Sequence, residues 1–458
     1  MQKMRNIKDN GMSYIPHTSD DIKEMLSFIG KNSLEELFEN IPEDVRIKNG
    51  YNIPCGLSEP ELIEHMKKLA DKNVNTAKNL SFIGGGLYQH FIPVLVDFLS
   101  SQASFVTSYT PYQPEVSQGT LQAIFEYQTA ISELTKMEIS NASLYDGASA
   151  LAEAILVCYS HFRKKKKKVL LPLNLHPEYR EVVETYMKNL DIEIIDIPVS
   201  EGLIDIEALK ELLSKEVAAA VISSPNFYGL IEDGKSITDL ARQSGALVIS
   251  VVEPVSLGIL QPPGDYGADL AVGDGQPLGI PLYFGGPAFG FLGAKKQFLR
   301  KLPGRIAGQT VDARGERGFV LTVQTREQHI KRERATSNIC TNQALMALRS
   351  LIYLTCLGKE GFYEVAYQTT QKAHYLAKKI AELPNYSLKY NSPFFNEFVV
   401  ECQKPAQEII EQLQNKGIYG GINLNKWFPE RKNELLVAVT ECHKKEKLDH
   451  FVDALKNI

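Results

Sequence analysis

VLLP (169–172), IEIIDIPV (192–199), AAVIS (219–223), ALVISVV (246–252) and ADLAV (268–272) are five short apolar runs. Between them lie stretches of helical spacing, His176 to Leu190, Ile206 to Ser214 and Ser236 to Gln243. Strand and helix alternating at this spacing imply parallel strands joined by crossover helices. The runs are apolar almost throughout, as expected where helices cover both faces of a sheet. Ligands of such sheets bind beyond the carboxyl ends of the strands. Here those ends are Pro225-Asn226, Glu253-Pro254 and Gly273-Asp274-Gly275-Gln276.

Outward from this block the pattern changes. Upstream, Ser19-Asp20-Asp21 opens an apolar-periodic stretch that Gly30 can close, and Ser58-Glu59-Pro60-Glu61 opens a second helix. A glycine loop, Gly84 to Gly86, precedes the aromatic and proline-rich loop Tyr109 to Glu115. Gln118 to Leu134 has helical spacing, and Ala288 to Gly293 reads as a further strand. Downstream, Ala344 to Leu357 and Ala366 to Leu383 read as two long helices. Strand-like Phe395 to Glu401 and Glu434 to Thr440 flank a helical Pro405 to Asn415, and His443 to Leu455 closes the chain. The expected organisation is a helical arm over 1–75, a large α/β domain over 76–330 and a small α+β domain over 331–458.

Composition excludes several function classes. The charge sum over 458 residues is −5, so no basic excess points to nucleic acid. The basic run Arg163 to Lys168 reads as a solvated turn. Six cysteines lack paired spacing, and the nine histidines lack metal-ligand spacing, so no metal is expected. Free thiols, a polar N-terminal stretch and no unbroken apolar span make the cytoplasm the expected location, with no membrane contact.

Gly229 to Ser236 matches the phosphate-loop pattern G-x-x-x-x-G-K-[ST]. Glu232 and Asp233 would place two negative charges beside the anion that the loop should cradle. The preferred reading is a turn whose acids favour the dipole of the next helix; a nucleotide site is the alternative.

Several segments together resemble one family: Tyr14 to Thr18, Phe82 to His90, Thr107 to Gly119, Asn141 to Gly147, Gly285 to Pro287 and Arg334 to Thr341. They resemble the glycine decarboxylase of the glycine cleavage system, the P-protein, in its split form. The resemblance starts near Met12, which becomes a second candidate for the first residue. It implies the fold of fold-type I pyridoxal-phosphate enzymes, with a mainly parallel sheet and a small α+β domain. It also implies a reaction: glycine loses its carboxylate and passes its aminomethyl group to the lipoyl arm of the H-protein. In the split form an α chain pairs with a homologous β chain that carries the cofactor lysine, in an expected α2β2 assembly.

The site position departs from a self-sufficient enzyme of this kind. Such an enzyme needs a lysine amine for its Schiff base. Here the position reads Gln276, and no lysine lies between Lys235 and Lys295. Glu253 stands where an acid would meet the pyridinium nitrogen, but without the lysine the preferred reading is a solvated or salt-bridged strand-end acid. Gly147 and Ser149, at a helix start, read as a relic of a phosphate cup that Asp146 would repel. The rigid loop with Tyr109, Tyr112, Gln113 and Glu115 is expected to line the α–β active site, its alternative being a packed connection between domains; Gly84 to Gly86, with Tyr88 and His90, line the same cavity or form a structural turn. Arg334 is a further anion-binding candidate. The expected cofactor is pyridoxal phosphate bound mainly by the partner, with none covalently held here. Two further alternatives are a self-sufficient enzyme using Lys295 and a partner that only stabilises β.

Overall fold

The computed structural model describes residues 17–47, 50 and 52–458. They fall into two compact units, one up to Val74 and one from Asn75 to Ile458. Tyr14 to Pro16, part of the first family-like segment, lie outside the described residues, as does everything before them. In the first unit, helix α1 (Ser19–Phe28) is capped by Thr18 and Asp21, and α2 (Glu59–Ala70) by Ser58 and Glu61. Each pair bonds reciprocally, side chain to backbone, which satisfies two backbone donors at each helix start.

The second unit is built on a seven-stranded sheet. Its strands are β1 (Ile139–Ser140), β2 (Lys168–Pro172), β3 (Glu193–Ile197), β4 (Val217–Ser223), β5 (Leu247–Val251), β6 (Leu270–Asp274) and β7 (Gly290–Ala294). The spatial order is β1-β7-β6-β5-β4-β2-β3. Strands β2 to β6 pair in parallel, whereas β7 runs antiparallel to both β6 and β1. Helices α3 (Gln118–Thr135), α4 (Gly147–His161), α5 (Pro177–Met187), α6 (Ile206–Leu212) and α7 (Gly234–Gln243) accompany it. Side chains alternate across the sheet with period two. Val169, Leu171, Ala219, Val221, Ile249 and Val272 join one core with α4 and α5. Leu170, Ala220, Ile222, Val248 and Ala271 join another with α6 and α7. That double coverage is why the strands carry no polar alternation.

A second sheet follows, antiparallel throughout: β8 (Tyr386–Leu388), β9 (Glu397–Cys402), β10 (Ile422–Asn423) and β11 (Glu434–Ala438), in the order β8-β9-β11-β10. Its helices are α8 (Ala344–Ala381), α9 (Ala406–Gln414) and α10 (Lys445–Lys456). The two long helices expected from sequence are both present within α8 and meet at a kink at Gly358, whose φ is +59°. Glycine tolerates that angle and the helix resumes at once, so no linker over 358–365 exists.

Candidate functional site

The carboxyl ends of β4, β5 and β6 open into a pocket of about 70 Å³. Ser223 ends β4 and Asn226 follows it, Glu253 follows β5 and Asp274 ends β6. Gly86 and Tyr88 close it from the glycine loop, His176 and Tyr179 from the start of α5, and Glu397 from β9. Gly84 permits this closure, since a Cβ there would lie 2.3 Å from Glu397 Oε1 and 2.5 Å from Ala438 Cβ.

Gln276 is buried beside this pocket. Its Oε1 accepts from Tyr88 N at 2.9 Å, and its Nε2 donates to Tyr88 O at 2.9 Å and Ile280 O at 2.8 Å. The amide therefore pairs the backbone of the glycine loop much as a strand would. Both of its ends are used, which suits a residue that is acceptor on one side and donor on the other.

The start of α4 is filled by carboxylates. Asp146 accepts from Ser149 N at 2.7 Å, and Asp274 accepts from Gly147 N at 3.1 Å. Asp274 also accepts from Gln276 N at 2.9 Å. Burial pushes the Asp274 carboxyl up to about 6, against those two backbone bonds. Glu253 caps the short turn Pro254–Gly258 through Val255 N and Ser256 N, and burial pushes it up to about 7. Glu397 accepts from Gly85 N at 2.7 Å and from Tyr88 Oη at 2.7 Å, and burial again pushes it up to about 7. Behind them His90 Nδ1 meets Glu441 Oε2 at 2.7 Å. Burial disfavours its imidazolium, but the Glu441 carboxylate outweighs this and holds its pKa above the usual value.

The family model for the glycine cleavage system P-protein matches residues 12–455. The chain belongs to that family. Among curated relatives, the probable glycine dehydrogenase (decarboxylating) subunit 1 of Geobacillus sp. is 49% identical, covering 96% of this chain and 98% of the relative. The protein of that name from Desulfitobacterium hafniense is 50% identical, covering 98% and 100%. A crystal structure of a glycine decarboxylase P-protein in inhibitor-bound form superposes with a TM-score of 0.89 at 43% identity, over 97% of this chain and all of that one. A glutamate decarboxylase from Lactobacillus brevis superposes at 0.67 with 13% identity, over 93% of this chain and 96% of that one, which speaks for the fold alone. The fold class expected from sequence, a fold-type I large domain with a mainly parallel sheet, is thus the one found.

For a P-protein family chain, the pocket is a poor host for pyridoxal phosphate. Gln276 has no nucleophilic amine. Two of the first three backbone N–H groups of α4, those of Gly147 and Ser149, already bond Asp274 and Asp146. Neither lysine nor arginine lines the pocket, whereas three carboxyl groups do. A phosphate dianion there would meet repulsion in place of the cations that such groups require.

Of the other sequence candidates, Glu253 lines the pocket and the rest lie apart from it. Glu253 is not a solvated or salt-bridged strand end; its carboxylate turns back onto the next turn's backbone and faces the pocket. Tyr109, Tyr112, Gln113 and Glu115 are exposed, and none lines the Glu253 pocket. Tyr109 instead borders an apolar cavity of about 220 Å³ with Phe105, Tyr127 and Leu345. Arg305 anchors this loop, donating to Thr110 Oγ1 at 3.2 Å and lying over the Tyr112 ring. Arg334 is exposed and lies 3.8 Å from Glu333. Lys295 sits just past Ala294, which pairs with Leu270 at the opposite end of β6 from the pocket, and it bonds Asp269 at 2.6 Å. It cannot reach the site, so the Lys295 alternative falls. The phosphate-loop pattern is a turn: Glu232 is buried, accepting from Ile204 N, Asn174 Nδ2 and Asn226 Nδ2, and Asp233 caps α7 through Ser236 N. The nucleotide alternative falls with it.

Sequence reasoning missed Glu397, Asp274, His176 and Asn226 as pocket residues. Asp274 stood in the quoted strand end and could have been named. Glu397 could not, because its place depends on how a second sheet packs more than a hundred residues later.

Proposed function

We propose that this chain is the α subunit, or subunit 1, of a split glycine decarboxylase of the glycine cleavage system. A homologous β chain supplies the lysine and binds pyridoxal phosphate. The complex decarboxylates glycine and hands the aminomethyl group to the lipoyl arm of the H-protein. We assign it an α2β2 assembly in the cytoplasm; no described helix is long and apolar enough to cross a membrane. The observation that carries this reading is Gln276. At the lysine position of a chain matched to the P-protein family over its length, a glutamine with every hydrogen-bonding group engaged has become part of the framework.

An unpaired surface supports a partner. Phe91, Val94, Phe98, Val106, Tyr109 and Val116 are all exposed. Helix Val94–Ser100 packs on α8, and Val106 and Tyr109 border a cavity shared with Leu345 and Leu348 of the same helix. Apolar exposure of this extent around one element marks an interaction surface. In that setting Tyr109, Tyr112, Gln113 and Glu115 would face the partner's active site, where they can bind and orient substrate and exclude water.

The test is spectroscopic. The purified full chain, mixed with pyridoxal phosphate, should show no band near roughly 410–430 nm and no borohydride-fixed adduct. Exchange of the glycine carboxyl with bicarbonate should appear only after β and lipoylated H-protein are added. A cofactor trapped by borohydride on a lysine of this chain overturns the proposal.

A further inference from the structure

The basic run Arg163 to Lys168 follows the end of α4. Arg163, Lys164 and Lys165 are exposed. Arg163 and Lys164 take φ of +52° and +63°. Two consecutive non-glycine residues in the left-handed region carry a cost that a glycine turn would avoid. The turn thus keeps its cations against a local penalty.

It does not stand alone. Lys164 and Arg334 border one cleft of about 750 Å³, together with Ser160, Thr336 and Ile339. Arg300, Lys301, Arg326 and Lys331 border a second, which Thr336 and Ile339 also line. Lys301 Nζ donates to Ser160 O at 3.2 Å. Arg332 is exposed next to Lys331. Three chain segments therefore bring their cations to one surface.

Nearby acids offset part of this charge. Lys167 and Lys168 pair with Asp191 and Glu216, and Arg334 stands 3.8 Å from Glu333. Burial lowers the Arg326 pKa, and the Glu327 carboxylate opposes that. Glu153 is buried in the wall of the first cleft, where burial pushes it up to about 7 against the Ser337 hydroxyl. What is left is the 163–165 turn, Arg300, Lys301, Lys331 and Arg332. Among the described residues none of these is ion-paired. A chain of net charge −5 concentrates them on one face.

The pattern selects the class of partner. Permanent subunit contacts are apolar at their core and poor in lysine, so this surface does not suit one. A nucleic acid carries charge at every step and would overrun the patch onto a chain of net charge −5. A compact protein with an acidic face ends where the patch ends, and complementary rim charge steers a fast, reversible encounter. We infer that the surface formed by the 163–165 turn, Arg300, Lys301, Lys331 and Arg332 docks an acidic protein that comes and goes during turnover. In the reaction proposed above that protein is the lipoyl carrier; the identity of the partner rests on that reading, and the charge pattern does not.

The test assays the assembled complex for aminomethyl transfer over a range of lipoylated H-protein concentrations, at about 50 mM and about 200 mM salt. At the lower salt Lys331→Glu should raise the KM for the carrier about three-fold or more, and Lys164→Glu combined with Arg300→Glu about ten-fold or more, with kcat within about two-fold, since rim charges act on the encounter. Both effects should shrink at the higher salt. Lys447→Glu makes the same charge change at an exposed position of α10 and should leave KM within about two-fold. The replaced side chains are exposed, so the thermal midpoint and the sedimentation of the complex should stay as in wild type. No transfer by the wild-type complex would overturn the subunit reading and the docking surface with it. Transfer with KM unchanged in the reversals, or an equal rise from Lys447→Glu, would overturn the docking surface alone. Release of β by the reversals would make this a subunit contact and overturn it too, as would tighter retention of the isolated chain on short duplex DNA than on the carrier.

Discussion

Gln276 and the acids around it set the chemistry at the residue scale. Replacing Gln276 with alanine strips partners from Tyr88 N, Tyr88 O and Ile280 O in a buried place. We expect a loss of about 3 kcal/mol, since each orphaned buried group costs roughly 1–3, read from the urea midpoint at unchanged slope. Gln276→Lys restores the amine but not the cofactor: the carboxylates of Asp146 and Asp274 still occupy the start of α4, so the variant should remain without a band near roughly 410–430 nm. The same acids predict a pH dependence. Glu253 and Glu397 rise from 4.5 to about 7, and Asp274 from 3.8 to about 6. The folded chain therefore holds protons that the unfolded chain releases. Stability should be greatest below the unfolded values and fall as pH rises through the folded ones, with acid-lowered carboxylates such as Asp233 limiting it at the low end. His90, raised by Glu441, adds to the fall with rising pH. Urea unfolding of the isolated chain at pH 5.5 and pH 8 checks this: greater stability at pH 8 contradicts it.

Turns and helix ends carry the argument at the element scale. Gly229 to Ser236 has the letters of a phosphate loop and the physics of a hub between segments. Gly229 takes a φ of +83°, and a Cβ there would lie 1.9 Å from Glu397 O. Glu232 holds Asn174, Asn226 and Ile204 together. Glu232→Ala should cost about 3 kcal/mol or more, because it abandons several buried donors. Asp233→Ala should cost about 1, the worth of one helix cap. Neither the wild type nor these variants should bind ATP or GTP in a filter or calorimetric assay. At the start of α4, Gly147 permits the approach of Tyr179, whose hydroxyl would be 2.0 Å from a Cβ. Gly147→Ala is an overpacking change and should destabilise by about 1–3 kcal/mol.

For the molecule as a whole, the question is what an α/β enzyme fold does when no lysine lines its own pocket. The exposed loop Tyr109 to Glu115 separates an active contribution from mere support of a partner. Tyr109→Ala and Glu115→Ala should leave the isolated chain's stability within about 0.5 kcal/mol, as for exposed sites generally. In the assembled complex they should lower glycine turnover by about ten-fold or more, with subunit association unchanged by sedimentation. Unchanged turnover would reduce this chain to a scaffold for β.

The sequence by itself determined the parallel sheet, because strands buried on both faces must be apolar and their crossovers must be helical. It also determined that residue 276 carries no amine, because covalent chemistry is written in residue type: a glutamine cannot be an amine wherever it sits. The phosphate-loop pattern was legible as a turn from Glu232 and Asp233 alone. Tertiary structure alone decided what lines the pocket, since Glu397, Tyr88 and Asp274 come from segments over a hundred residues apart and meet only when two sheets pack. It alone showed Glu253 turned onto its own backbone and the kink of α8 at Gly358. Local propensity reads neighbours along the chain; burial, and the partners a buried polar group finds or lacks, are set by neighbours in space.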